Sequence, residues 1–255
     1  ILFLSSNYVL TKQALDRETE RTLEYRANLT QLALEERLNA SSETLLTLSQ
    51  QSETGAQFSA SRLLEQLKTF SLSQEGRYID LIAIVNSNGE IRHNMSSPLI
   101  KHAENSINNF HKTHASSGWH LTVVGEGPKV RVSLMREITL LEPTLGQVVG
   151  NLIYGITLND NISLTNLLRH SAKVEGVQLL LNETPLSSSG STIDAQNTLS
   201  LRFPLGYESR NDALFINILI SDQLHKEIDD AYITNAAIVI ISSLIAVFII
   251  IFLIH

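Results

Sequence analysis

"VRVSLMREITLLEPTLGQVVGNLIYGITL", Val130–Leu158, decides the fold. Two apolar, β-branched runs flank "EPTLGQVVG" (Glu142–Gly150), where Pro143 and Gly146 suit a tight connection. The pattern predicts two long strands paired as an antiparallel hairpin. Along the first strand Val130, Val132, Leu134, Ile138 and Leu140 share one face, and Arg131, Ser133, Met135 and Glu137 share the other. Arg136 falls on the apolar side. An inward Arg needs an anionic partner or a ligand, unless a bulge shifts the register. Arg136 is therefore the best single ligand-contact candidate, with Arg131 beside it. No nucleophile, metal ligand or phosphate loop adjoins the hairpin.

Upstream, "YIDLIAIVNSNGEIRH" reads as a strand, a turn over Asn88-Gly89 and a short partner strand. "SSPLIKHAENSINNFHKTHASS" reads as a helix, with Pro98 in its first turn and Ile100, Ile107 and Phe110 as apolar contacts. "WHLTVVG" completes a five-strand sheet. Downstream, "NDNISLTNLLRHSAKV" is a helix capped by Asp160 or Asn161, with Leu164, Leu167 and Leu168 on its buried face. A smaller three-strand sheet follows: "GVQLLLN", "NTLSLRFPLG" and "ALFINILIS". The polar "ETPLSSSGSTIDAQ" within it reads as a mobile connection.

The ends set the architecture. No charged residue occurs from Ala231 to Ile254, and 15 of the 22 residues from Ile233 are Ile, Leu, Val or Phe. Crossing a ~30 Å hydrocarbon core takes about 20 apolar residues, and this run favours insertion by roughly 6 kcal/mol. Asp222 is placed to cap the helix that leads into it. "ILFLSSNYVL" at the start is shorter and reads as the end of another span. From Ser5 to Ser49 there is no Pro or Gly, so a long helix is expected there. Leu34, Leu38, Leu45 and Leu48 mark one face, with Leu15, Thr22 and Leu29 as a looser stripe. That face either packs on the chain's own sheets or forms a coiled-coil seam. A second helix covers Ala56 to Ser71, with Leu63, Leu64, Leu67 and Phe70 on one face.

The fold class is thus α+β. The expected division is 1–11 end of a first transmembrane helix, 12–55 spine helix and 56–160 membrane-distal sheet module. Residues 161–222 form a smaller membrane-proximal module, 223–232 an exit helix and 233–254 a second transmembrane helix.

Composition removes several functions. The chain has 255 residues, no Cys and a formal charge of −7, which excludes thiol chemistry and opposes a nucleic-acid surface. No Gly-rich phosphate loop, Gly-x-Ser-x-Gly, His-Glu-x-x-His or kinase signature occurs, so no enzyme and no cofactor are read into it. His93, His102, His111, His114 and His120 fall within 28 residues. His111 and His114 share a helical face at metal-pair spacing, but without Cys or an acidic pair a solvated surface outweighs a metal site. Trp119, the only tryptophan, reads as core packing or as a partner-contact residue.

The order of elements resembles tandem PAS-like (double Cache-type) extracytoplasmic sensors. Three stretches sharpen this: "SSNYVLTKQALDRETERT", the run from "GWHLTVV" to "NETPLSSS", and the exit helix passing directly into a span. They resemble the periplasmic sensor region of LuxQ-type hybrid histidine kinases. The family's acidic-Pro-x-x-Gly hairpin with an Arg ahead of it, followed by Leu-Asp/Asn-Asn, matches Arg136, Glu142, Pro143, Gly146, Leu158, Asp160 and Asn161. The resemblance implies a bacterial inner-membrane receptor with a periplasmic sensor; a homodimer is expected beside it, as the coiled-coil reading of the first helix would have it. The receptor's partner would be a periplasmic binding protein that carries the ligand. The alternatives are a direct small-molecule Cache sensor of a diguanylate cyclase, phosphodiesterase or chemoreceptor, and a structural membrane-anchored interaction module.

Overall fold

With no Gly or Pro to stop it, the first helix, α1, runs Leu2–Gln51 without interruption in the computed structural model of the chain. The structure describes the backbone of residues 2–51, 53–54, 57–58, 60–73, 78–96, 103–113, 118–124, 131–142, 146–190, 198–209 and 212–254. Along α1, Leu23, Ala27, Thr30, Leu34, Leu38, Ser41 and Leu45 are buried, at spacings of four or three residues that keep one face turned inward. The buried hydroxyls are satisfied locally: Thr30 donates to Arg26 O (2.8 Å) and Ser41 to Arg37 O (3.0 Å). Leu34, Leu38 and Leu45 thus lie in the chain's own core, which removes them as a coiled-coil seam. Leu15, Thr22 and Leu29 are only half-buried.

Two minimal strands, β1 (Glu53–Thr54) and β2 (Gln57–Phe58), precede α2 (Ala60–Ser71). Leu63, Leu67 and Phe70 bury the inner face of α2. The distal sheet comprises β3 (Leu81–Asn86), β4 (Ile91–Ser96), β5 (His120–Val124), β6 (Arg131–Leu141) and β7 (Val148–Thr157). Its order is β4-β3-β7-β6-β5, with every neighbouring pair antiparallel. One face, including Ile82, Ile84, Leu134, Leu152 and Tyr154, packs on α1. The opposite face, including Leu81, Ala83, Met135 and Ile153, packs under α3 (Ala103–Thr113) through Ile107 and Phe110. Because both faces are covered, β3 is an unbroken apolar run.

The β6–β7 hairpin forms as the sequence predicts, with Ser133 opposite Thr157 and Leu140 opposite Gly150. At its tip Gly146 has φ +64° and donates to Glu142 O (2.8 Å), while Glu142 donates to Gln147 O (2.7 Å). Pro143 lies outside the described residues, as do Pro98 and Ile100. A Cβ on Gly150 would meet Val85 O at 2.4 Å, so only glycine lets β3 and β7 approach there.

α4 (Ile162–Ala172) leads to the proximal sheet. That sheet has four strands, not three: β8 (Gly176–Leu181), β9 (Thr184–Gly190), β10 (Thr198–Ser209) and β11 (Asp212–Ser221), in the order β10-β11-β8-β9. The serine stretch expected to be a connection is β9. An edge strand needs backbone pairing on one side only, and Leu179–Ser187, Gln178–Ser188 and Val177–Ser189 supply it. Asn182, at φ +50°, makes the turn into it. Pro204 is accommodated because β10 is the other edge.

Arg26 of α1 donates to Ala172 O (2.7 Å) and completes the C-terminus of α4. α5 (Gln223–Ile254) leaves the sheet. The side chain that accepts from its first amide is Ser221 Oγ, from Gln223 N–H at 3.2 Å.

Candidate functional site

Arg136 and Tyr154 face each other across β6 and β7, and both turn toward α1. Ser42 meets them there. Its Oγ donates to Leu38 O (2.9 Å) and accepts from Tyr154 Oη (2.9 Å) and Arg136 Nη1 (3.1 Å). A hydroxyl has one proton and two lone pairs, so Ser42 is fully used. Burial raises the pKa of Tyr154 above its ordinary value, outweighing the opposing influence of Ser42 and the Arg136 charge. The phenol therefore stays a neutral donor. Trp119, just ahead of β5, stands edge-on to Tyr154, with ring centroids 5.3 Å apart and planes at 86°.

The structure thus brings Trp119 and Arg136 together over Tyr154. The partner of Arg136 is a neutral hydroxyl; among the described residues no carboxylate pairs with it. Its Nε is buried without a hydrogen-bond partner, as is Trp119 Nε1. No bulge interrupts β6 at Arg136; the register shift comes later, between Leu140 and Leu141.

Arg131 lies apart, at the first residue of β6. Its Nη1 donates to Asp160 Oδ2 at 2.6 Å. Asp160 has φ +57° and donates its backbone N–H to Leu186 O (2.9 Å). Asn159 Oδ1 accepts from Val132 N–H (2.6 Å), and Asn161 Oδ1 accepts from Leu164 N–H (3.0 Å). The helix cap is therefore Asn161, while Asp160 faces back to Arg131. This knot ties the distal sheet to α4 and β9.

On the α3 side of β6, His111 Nδ1 lies 2.8 Å from Glu137 Oε1. Burial raises the Glu137 pKa, with His111 pulling the other way, and Glu137 Oε2 is buried without a partner. His102 and His114 lie outside the described residues. His93 sits on β4, and the His120 ring lies 6.0 Å from that of Phe110. Among the described residues no group of three or more His, Asp or Glu gathers as a metal site.

A cleft of about 620 Å³ joins these groups. Asn39, Ser42, Glu43 and Leu46 of α1 line one side, His111 and Asn151 the other, and Arg136–Thr139 run between them. It wraps around the edge of β6, and so reaches both faces of the sheet.

A second cluster sits at the base. Tyr8 Oη donates to Asp229 Oδ1 (2.6 Å), Lys12 Nζ lies 3.0 Å from the same oxygen, and Tyr8 stacks on Tyr232 at 4.0 Å. These contacts join α1 to α5. The stretch Lys226–Ile245, which includes Asp229 and Tyr232, is long and apolar enough, by length and composition, to cross a membrane. Ile233, Ile238, Ile241 and Leu244 are more than half exposed, as a lipid-facing surface requires.

Ser42, Tyr154, the His111–Glu137 pair and the base cluster were missed from the sequence. Tyr154 sits in a run that reads as plain core. Ser42 occupies the inward side of α1 beside other buried hydroxyls such as Thr30 and Ser41, so nothing in the sequence singles it out.

The family model described as "LuxQ, periplasmic" matches residues 11–234. The autoinducer 2 sensor kinase/phosphatase LuxQ of Vibrio cholerae is 40% identical over 89 residues, covering 34% of this chain and 10% of that protein. The chain spans about a tenth of the length of the curated relatives it matches. The crystal structure of the periplasmic domain of Vibrio cholerae LuxQ superposes with a TM-score of 0.58 at 24% identity, over 79% of this chain and 99% of that one. The ligand-binding domain of a Campylobacter jejuni chemoreceptor, solved with L-valine, gives 0.50 at 11% identity over 84% and 97%. The tandem antiparallel-sheet sensor fold is common to all three. The chain belongs to the family of LuxQ periplasmic domains.

Proposed function

We propose that this chain is the receiving module of a transmembrane two-component receptor of the bacterial inner membrane. Residues of about 12–230 lie in the periplasm, and the distal module is engaged by a periplasmic ligand-binding protein rather than by free ligand. The division into a first span over 1–11, a spine over 12–55, modules over 56–160 and 161–222, an exit helix over 223–232 and a second span over 233–254 belongs to this reading. A histidine kinase is the expected cytoplasmic output. A homodimer would use the outer face of α1, where Tyr25 and Leu32 recur at spacing seven and stay exposed.

The observation that carries the reading is the joining of α1 and α5 by Tyr8, Lys12, Asp229 and Tyr232. Both sheets are built on α1, and the polypeptide leaves them through α5. Movement of the sheets relative to either helix is therefore delivered at one place beside the apolar segment. Trp119 and Arg136 are partner-contact candidates in this scheme, whereas Arg131 holds the junction between modules.

The test is a Gly-Pro insertion after Glu227 in the full receptor. Kinase output is expected to stop responding to stimulus while partner binding is unchanged. A full response through the broken helix would refute the rigid link.

A further inference from the structure

Among the described residues, the distal sheet leaves half of one strand without a neighbour. β5 pairs with β6 from Arg131 to Met135 and stops, whereas β6 continues to Leu141. Leu158 N–H donates to Val132 O at 2.8 Å, which assigns the even-numbered residues of β6 to β7. Alternation then turns the backbone N–H and C=O of Glu137 and Thr139 toward the open side. The cleft straddles this same edge. On one face Arg136 Nε is buried and unpaired, and on the other Glu137 Oε2 is.

We propose that the β6 edge at Arg136–Thr139 is the docking strip for an extended peptide segment of the periplasmic partner. The segment adds a sixth strand to the distal sheet. It carries a carboxylate opposite Arg136 and, one residue away, a hydrogen-bond donor opposite Glu137. This rests on the partner-binding reading above and names the surface and chemistry it uses.

A strand answers these four groups together. Its backbone pairs with Glu137 and Thr139, and its side chains alternate faces as the two halves of the cleft do. A second copy of this chain is the wrong occupant. Antiparallel self-pairing of two such edges has its two-fold axis perpendicular to the sheet. α1 lies flat on that sheet, so the two α1 helices would enter the membrane from opposite sides.

The test uses the full receptor in detergent and the periplasmic protein it retains from the organism that encodes it. Thr139→Pro deletes the N–H on the open edge and leaves the β7 side intact; Thr139→Val is its control. Thr139→Pro is expected to weaken binding about tenfold and Arg136→Gln about fivefold, with Thr139→Val within about twofold of wild type. Independently of any variant, hydrogen exchange across residues 136–141 of the wild-type receptor is expected to slow about tenfold in the complex. A retained protein that binds Thr139→Pro undiminished, with exchange unchanged, overturns the docking strip and leaves the receptor reading standing. Protection of the strip in the receptor alone, from self-pairing, also overturns it. If the wild-type receptor retains no periplasmic protein, both readings fall.

Discussion

Ser42 shows how much one hydroxyl can hold. It accepts from Tyr154 and Arg136 while donating to Leu38 O, so Ser42→Ala strands a phenol and a guanidinium in a buried layer. The expected cost is about 1–3 kcal/mol, read as a lower midpoint of thermal unfolding by circular dichroism in micelles. Glu137 offers a test by titration. Burial sets its pKa above the ordinary 4.5, and His111 partly restrains the rise. His111→Ala is expected to move the Glu137 titration further up, followed by carboxyl carbon NMR. Between 4.5 and the raised value the folded chain binds more protons at Glu137 than the unfolded chain does. Its contribution to stability therefore falls as pH rises through that window, and over a wider window in the variant. An unmoved titration would mean that His111 does not act on it.

At the scale of elements, periodicity carried most of what the sequence disclosed. The β6–β7 hairpin was legible because Val, Ile and Leu alternate on both sides of a Pro/Gly tip. The length of α1 was legible from the absence of breakers, but the part of its stripe below Leu34 was not. Leu15, Thr22 and Leu29 suggested one line, while the buried line is Leu23, Ala27 and Thr30; alanine and threonine carry too little hydrophobicity to mark a face. β9 was hidden for a related reason. An edge strand is held by its backbone, and Thr184–Gly190 contains one apolar side chain that is not proline, Leu186. Its signal lay in the turn, where Asn182 tolerates a positive φ. The candidate site was half legible. Arg136 announced itself by breaking the alternation of an apolar strand face. Ser42 and Tyr154 did not, because their pairing exists only once α1 lies across β7.

At the scale of the molecule, one apolar cluster runs through both modules. It contains Leu34 and Leu38 of α1, Leu152 and Tyr154 of the distal sheet, and Val177 and Ile216 of the proximal sheet. Because both modules share this cluster, they are expected to unfold in a single calorimetric transition; two resolved transitions would contradict this. The base cluster then has a mechanical consequence. Lys12 pins α1 to α5 about 45 Å below Ser42 and about 15 Å above Leu2, at 1.5 Å of rise per residue. A sideways push at the distal sheet works through this fulcrum on a long arm, and reaches Leu2 about threefold smaller and reversed. A displacement along the helix axis has no such lever and arrives at full size. The pin therefore acts as a mechanical filter, damping tilt and passing axial travel.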